Sequence, residues 1–462
     1  MTTSQVTIIG GGISGLTTAW WLRKNGFSIA LFEQDDAVGG TMKTVKQDGW
    51  LIETGPNSAL ETSPLFKTLF EDIGIKEELV YANPAGNNRY ILRDGKLHPL
   101  PMSPGKFFKS KLWSFSGKLR LVLEPFIGRA EKEETIAEFV ERRLGKEFLD
   151  YAINPFIAGI FAGAPEKLSV RAAFPKLYAL EKKYGGLIKG TIRGARERKK
   201  RGEVSKDRAQ MFSFKNGMQT LPSAIGKALG DIVQTSSIVE GIEKNGTDNT
   251  YTVRYSLKGL SKTHQTQAVL FAVPSAVSAH MTKTFDQLLS QKIRDIYYPP
   301  VAEVFIGYKE DQVQRPMDGF GFLVPEKENR KILGAIWSST LFEGRAPQGC
   351  VALTVFVGGS RQPDNARWSD TELLSAVKQE LQELMKIDGD PVFTRITRWE
   401  RAIPQYHLGH LEVVRDIAKF EQQHPGLFLS GNYRDGISVG DCVIQSEKMS
   451  QRIIEYFAAQ KN

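Results

Sequence analysis

The sequence predicts an α/β fold: a nucleotide-binding parallel sheet, joined by an α+β domain and interrupted by a helical insertion. Three observations carry that prediction. Val6-Thr7-Ile8-Ile9 runs straight into Gly10-Gly11-Gly12-Ile13-Ser14-Gly15 and a helical pattern ending near Gly26. A second apolar run, Ser28 to Phe32, ends in Glu33, 18 residues after Gly15. From Lys106 to about Arg208 strand alternation gives way to helical spacing, broken by Pro125, Pro155, Pro165 and Pro175.

Each residue of the first unit has a physical task. Gly10 permits a tight turn, Gly12 lets backbone approach a pyrophosphate, and Gly15 lets helix and strand pack closely. Ile13 and Ser14 open the helix, whose N-terminal N–H groups face the anion. A carboxylate ending the second strand, Glu33, can hold both hydroxyls of an adenosine ribose. Val38-Gly39-Gly40-Thr41-Met42 sets a second glycine pair close behind the first, which resembles the extended fingerprint of the amine-oxidase-like flavoproteins and so implies FAD rather than NAD as the cofactor.

Composition narrows the rest. At 462 residues, with 41% hydrophobic and 24% charged residues, the chain is globular and long enough for two or three domains. Cys350 and Cys442 lack a paired spacing, and the six histidines form no ligand cluster beyond the weak pair His407/His410, so neither a disulfide framework nor a metal site is expected. No apolar stretch reaches the length of a spanning helix. The dinucleotide motif begins almost at Met1, leaving no room for a signal peptide, and a cytoplasmic location is expected. The net charge of +9 is uneven: residues 101–210 hold 24 Lys or Arg against 13 Asp or Glu, a net of +11. Aromatics and lysines mix from Lys106 to Phe115, with Phe107, Phe108 and Trp113 among them, and six of the nine residues 193–201 are basic. That pattern suits either peripheral contact with an anionic membrane on its cytoplasmic face or a solvated helix face. Nucleic acid is not expected as a partner.

In chain order, residues 1–87 form the first part of the nucleotide domain, in which Trp50 to Glu53 reads as a strand and Gly55-Pro56-Asn57 as a turn facing a bound ring. A helix spans roughly Ser63 to Ile73. Residues 88–105 hold a hairpin with an Asp94-Gly95 turn and open the second domain. The helical insertion covers 106–210. Residues 211–284 return to the nucleotide domain, with a helix from Leu221 and strands near Ile232, Val239, Tyr251 and Ala268 to Pro274. Residues 285–394 supply strands at 301–308, 319–324, 332–337 and 350–357 and a helix at 371–386. Residues 395–462 end the chain with a strand at 427–432 and a helix from about Val439 to Ala459.

The second glycine pair resembles the extended fingerprint of the amine-oxidase-like flavoproteins, whose arginine near the pair is here replaced by Lys43 or absent. More specifically, the block Ile153 to Gly163, then Gly319 to Pro325, Phe356 to Arg361, Ala402 to Tyr406 with Gly409-His410, and Gly431-Asn432-Tyr433 resemble the protoporphyrinogen oxidase family, in family order along nearly the whole chain. The resemblance implies an FAD-binding Rossmann-like domain of the p-hydroxybenzoate-hydroxylase and amine-oxidase-like type. It implies oxidation of protoporphyrinogen IX by FAD and molecular oxygen, with hydrogen peroxide released. It implies substrate contacts at Arg89 (a propionate), Gly159 (a pyrrole N–H) and the apolar trio Leu323, Ile336 and Phe356, and cofactor contacts at Thr41, Val239, Trp399 and the helix start Ile437-Ser438-Val439. A ferrochelatase or a second copy of the chain are the implied protein partners.

No Ser/His/Asp or paired-carboxylate constellation stands out as catalytic, so the chemistry is expected to be centred on the flavin. The rival enzyme readings keep the fold and change the substrate to coproporphyrinogen III, an amine or a polyene. The rival outside enzymology is a flavin-free lipid carrier resembling the Rab escort and dissociation-inhibitor proteins.

Overall fold

In the computed structural model, which describes residues 2–200, 209–246 and 250–460, strand Thr2–Ile9 lies inside a largely parallel sheet. It pairs in parallel with Ile29–Phe32 on one side and with Leu260–Phe271 on the other. Val233–Gln234 and Leu427–Leu429 extend the parallel part outward on either side. Ile29–Phe32 is buried throughout, as expected of a parallel strand covered on both faces. The strand expected at Ala268 to Pro274 instead begins at Leu260. Its first four residues are exposed, and its first half pairs antiparallel with Thr250–Leu257, which in turn pairs with Ser237–Asn245. The polar stretch Ser261 to Thr263 hid this half, because it lies on a solvated ribbon and not in a core.

The chain's two ends meet on this sheet. Helix Val439–Ala459 packs against helix Ile13–Lys24, and Ser446 Oγ donates to Ser14 O at 3.0 Å. Val439, Val443 and Ile453 share a core with Val6, Ile8 and Leu16. A small sheet of Ala59–Leu60, Met211–Phe214 and Leu79–Tyr81 ties the returning chain to its first segment, over a cluster of Phe66, Phe70, Phe212 and Phe214. The helix read as starting near Ser63 is Leu65–Asp72.

A second seven-stranded sheet runs in the order Phe393–Trp399, Val301–Lys309, Cys350–Gly358, Gly334–Ile336, Gly321–Leu323, Tyr90–Arg93 and Lys96–Pro99. Strand Phe393–Trp399, across which the expected boundary at 395 falls, is hydrogen-bonded to Val301–Lys309 in this sheet. The hairpin turns at Asp94 (φ 51°) and Gly95 (φ 70°), the two positive φ angles that an Asp-Gly turn supplies. Helix Asp370–Met385 covers one face of the sheet, with Leu373, Val377 and Leu381 against Val304, Ile306 and Val355. Its start is a capping box: Ser369 Oγ accepts from Glu372 N, and Glu372 Oε2 accepts from Ser369 N at 3.0 Å.

Between residues 100 and 200 the described secondary structure is helical only. Arg143, fully buried, ties these helices together by donating to Glu124 Oε1 at 2.9 Å and to Glu181 Oε1 at 2.7 Å. Glu124 in turn accepts from Leu187 N and Ile188 N, a carboxylate placed at the start of helix Leu187–Lys200. Trp113 corrects the sequence reading: it is buried and stacked on Phe148, and Phe107 is half-buried beside it. Among the three aromatics named there, Phe108 is exposed, and Phe115 and Phe126 protrude further, each 83% exposed. Of the basic run 193–201, Arg201 lies outside the described residues, as does the rest of 201–208. No helix among the described residues is long and apolar enough to cross a membrane.

Candidate functional site

The first glycine turn is built as a cradle. Gly10 has φ 106°, and a Cβ there would strike Ala272 O. A Cβ on Gly15 would strike Gly10 O, whereas one on Gly12 would meet nothing within 4 Å. Gly12 thus opens on free space at the start of helix Ile13–Lys24, which has no side-chain cap. Its first N–H groups are available to an anion, helped by the helix dipole.

Glu33, buried at the end of its strand, accepts from Gly11 N at 2.5 Å through Oε2 and from Asp35 N at 2.9 Å through Oε1. Two backbone donors hold the carboxylate in place, and each oxygen keeps lone-pair capacity for a further hydroxyl. Gly39 N donates to Gly11 O at 2.9 Å, and a Cβ on Gly40 would lie 3.3 Å from Gly12 Cα, so the second glycine pair rests on the first turn. Thr41 beside it is exposed, and its carbonyl lies against Gly55, where a Cβ would collide with it. Lys43 pairs with Asp35 at 2.9 Å. Ser237 N donates to Glu33 O at 2.8 Å, which brings Val239, two residues along the same strand, to this end of the site.

Gly55, Pro56 and Asn57 are half-buried, with Asn57 Nδ2 donating to Gly55 O at 3.1 Å. The Trp399 indole N–H donates to Thr54 O at 2.8 Å, tying the second sheet to this turn. Ile437 is half-buried, and Ser438 caps the last helix, its Oγ accepting from Asp441 N at 3.0 Å. Glycine cradle, uncapped helix start and ribose-ready carboxylate fit a dinucleotide cofactor.

The substrate candidates converge on the second sheet. Leu323 is paired with Gly334, and Gly334 with Phe356, so the two side chains flank a glycine in one row. Ile336 lies opposite Thr354 in the next row. Along these strands Leu323, Ile336 and Phe356 are partly open, while Phe322, Ala335 and Val355 between them are buried against Trp337 and the covering helix. The three are therefore not the strand's core. Gly159, on helix Asn154–Phe161, faces them: a Cβ there would come within 2.7 Å of Leu323 Cδ2.

Arg89 directly precedes strand Tyr90–Arg93, which pairs in parallel with Gly321–Leu323. Its guanidinium lies 5.3 Å from the centroid of the Phe320 ring, and it makes no ion pair among the described residues. Desolvation lowers its pKa from the usual arginine value. A small cavity lined by Glu53, Asn57, Phe305, Ile336, Ser338 and Arg345 lies between the turn at 55–57 and Ile336.

Several residues here had no role in the sequence reading. Arg361 clamps Gly159's helix to the sheet: its guanidinium donates to Val324 O at 2.8 Å and to Asn154 O at 2.6 Å, and burial pushes its pKa down to about 10. Asn154 also bonds Glu326, through Nδ2 to Oε2 and from Glu326 N to Oδ1, each at 3.0 Å. Arg345, 2% exposed, donates to Ser213 Oγ at 2.7 Å and stands 3.7 Å from Glu53. Glu303 is buried on the strand between Trp399 and Phe356, and its pKa is raised to about 8, chiefly by burial, with the Trp399 N–H opposing the rise and nearby Glu53 adding to it. A single carboxylate in the apolar run Val301 to Tyr308 was the available signal.

Residues 13–454 match the flavin containing amine oxidoreductase family. The chain is 32% identical to protoporphyrinogen oxidase 2, chloroplastic/mitochondrial, of Arabidopsis thaliana, over 99% of this chain and 95% of that one. It is 30% identical to coproporphyrinogen III oxidase of Bacillus subtilis (strain 168), over 98% of both. The crystal structure of a putative protoporphyrinogen oxidase from Exiguobacterium sp. 255-15 superposes with a TM-score of 0.79 at 25% identity, covering 98% of this chain and 99% of that one. The uninterrupted glycine cradle and these full-length matches rule out the flavin-free carrier, and the chain belongs to the flavin-containing amine oxidoreductase family as a flavin-dependent oxidoreductase.

Proposed function

We propose that the protein oxidises a porphyrinogen to the corresponding porphyrin in haem biosynthesis, with FAD as cofactor. The observation that carries this reading is the half-open trio Leu323, Ile336 and Phe356, facing Gly159 on a sheet whose other face is sealed. Such a surface suits a large, flat, apolar ring. When bound, the flavin supplies a two-electron acceptor for hydrogen leaving the macrocycle. The protein's part is to orient: Arg89 forks a propionate, the Gly159 backbone meets a pyrrole N–H, and the apolar trio excludes water. Molecular oxygen is the proposed final acceptor and hydrogen peroxide the by-product.

Protoporphyrinogen IX is the first substrate reading. Arg361 and Arg345 are already engaged by protein carbonyl and hydroxyl groups, which leaves Arg89 better suited to one propionate than to a tetracarboxylate. Coproporphyrinogen III is the second reading, supported by the full-length similarity to the Bacillus subtilis enzyme. Purified protein should carry flavin absorption, and porphyrin fluorescence should grow on addition of protoporphyrinogen IX; coproporphyrinogen III run in parallel ranks the two. A flavin-loaded protein that oxidises neither would overturn the reading.

We also propose that the helical segment rests on anionic lipid. Met102, Phe108, Phe115, Leu119 and Phe126 are exposed among Lys106, Lys109, Lys111 and Lys118.

A further inference from the structure

Glu303 is 6% exposed, and its Oε2 is buried with no hydrogen-bond partner among the described residues. An unpartnered buried carboxyl oxygen is costly, and a strand core gives no reason for one. Its position supplies a reason. The register places Glu303 opposite Phe356 on one side and Thr397 on the other, and Phe356 continues through Gly334 to Leu323. One row across the sheet thus runs from Glu303 to two residues of the substrate face. Two residues before Glu303, Val301 pairs with Trp399, whose indole holds the turn at Thr54. The carboxyl group therefore sits where the cofactor turn at 54–57 meets the substrate face.

The charged surroundings explain its protonation. Facing it from strand Trp50–Glu53 is Glu53, whose own countercharge is Arg345, and its neighbours within the sheet, Phe356 and Thr397, carry no charge. With burial as the largest cause, Glu303 stays a neutral acid up to about pH 8. A neutral carboxylic acid donates a hydrogen bond, whereas the ionised form repels added negative charge.

We propose that Glu303 is a hydrogen-bond donor to the polar edge of the bound flavin ring, positioned to favour its reduction while the acid is neutral and to oppose it once ionised. This inference rests on the flavin reading above. The proton stays on the Glu303 oxygen, so no bond is made or broken by this residue. It acts as a tuning group beside the flavin, set apart from the propionate and macrocycle contacts.

The test uses flavin-loaded protein as wild type, Glu303→Gln and Glu303→Leu. The midpoint potential of the flavin is followed across pH on both sides of about 8, with difference infrared spectra of the carboxyl C=O band over the same range. In the wild type the potential should fall more steeply above that pH and the carboxylic-acid band should vanish there. Glu303→Gln, which still donates but does not ionise, should lack both changes, and Glu303→Leu should have a potential below that of the wild type only under the pH at which Glu303 ionises, with no added fall above it. Superimposable potential-against-pH curves for wild type and Glu303→Gln would overturn the proposal. Should Glu303→Leu fail to retain flavin, the glutamine comparison decides alone. Porphyrinogen turnover on the same samples is a separate readout: flavin-loaded wild type that leaves porphyrinogen untouched sinks the substrate reading, while the potential curves still decide the role of Glu303.

Discussion

At the scale of single residues, unpartnered polar groups separate binding from packing. Arg89 stacks on Phe320 and has no carboxylate partner among the described residues, so it does not serve to pin its hairpin by an ion pair. Arg89→Ala should raise KM for protoporphyrinogen IX about tenfold or more, the loss of a charge-assisted hydrogen bond worth about 1.5–3 kcal/mol, with kcat little changed. Arg89→Lys should recover part of it, since an ammonium lacks the planar fork. A lowered melting temperature with unaltered kinetics would assign Arg89 to the scaffold. Glu33→Ala removes the cofactor-facing carboxylate and should weaken FAD retention, read as flavin per protein after gel filtration; full retention would unseat Glu33 from that role. Glu303 makes a claim on stability as well. Its folded pKa is raised from 4.5 to about 8, so between those values the unfolded chain releases a proton that the folded chain keeps. Stability is therefore lost as pH rises through that window, by up to about 1.4 kcal/mol per pH unit, and levels off above it. Urea unfolding of Glu303→Gln should lack that part of the slope, and identical slopes would mean that Glu303 ionises freely.

At the scale of elements, the site is assembled by helices pressed onto sheets at glycines. Helix Asn154–Phe161 sits so close to strand Gly321–Leu323 that Gly159 has room for no side chain unless Leu323 Cδ2, 2.7 Å from a built Cβ, moves. Leu323 is flexible at that end, so Gly159→Ala should cost less than about 1.5 kcal/mol of stability while displacing Leu323 into the substrate face. The expected result is a raised KM with flavin content unchanged; a large drop in melting temperature would mean that the clamp of Arg361 on Asn154 does not let the helix give. The helical segment follows the same logic in ionic form. Arg143 bonds Glu124 and Glu181 with none of the three more than 3% exposed, so some of the segment's charge is internal architecture.

At the scale of the whole molecule, three distant stretches of chain, 2–32, 233–271 and 427–429, contribute parallel strands to one sheet, and the second sheet is threaded between them. The helical segment projects its exposed apolar side chains beside lysines, and Phe115 and Phe126, each 83% exposed, are its most prominent points. Binding to vesicles rich in anionic lipid should be strong at low salt and fall as salt screens it, at about 1 kcal/mol per basic residue near the surface. Phe115→Asp with Phe126→Asp should reduce binding in a co-sedimentation assay and leave porphyrinogen oxidation in detergent intact. Equal binding by the double variant would remove these aromatics from the contact.

The local rules were legible in the chain itself. Strand, glycine turn, helix and Glu33 obey steric constraints that act within about thirty residues, and the Asp94-Gly95 hairpin and the helix at Val439 are coded by their own turn and cap residues. The polar start of strand Leu260–Phe271 was not legible, because a solvated ribbon selects no apolar pattern. Nor was the burial of Trp113, since an aromatic among lysines reads the same whether it meets lipid or Phe148. Glu303 shows the division most sharply. Its place in an apolar run is visible in the sequence, but its unpaired Oε2, its neighbours Trp399 and Glu53 and its row with Phe356 and Leu323 exist only once strands from remote segments are in register. Burial and charge proximity are sums over the folded neighbourhood, and so tertiary structure alone decides which carboxyl group keeps its proton.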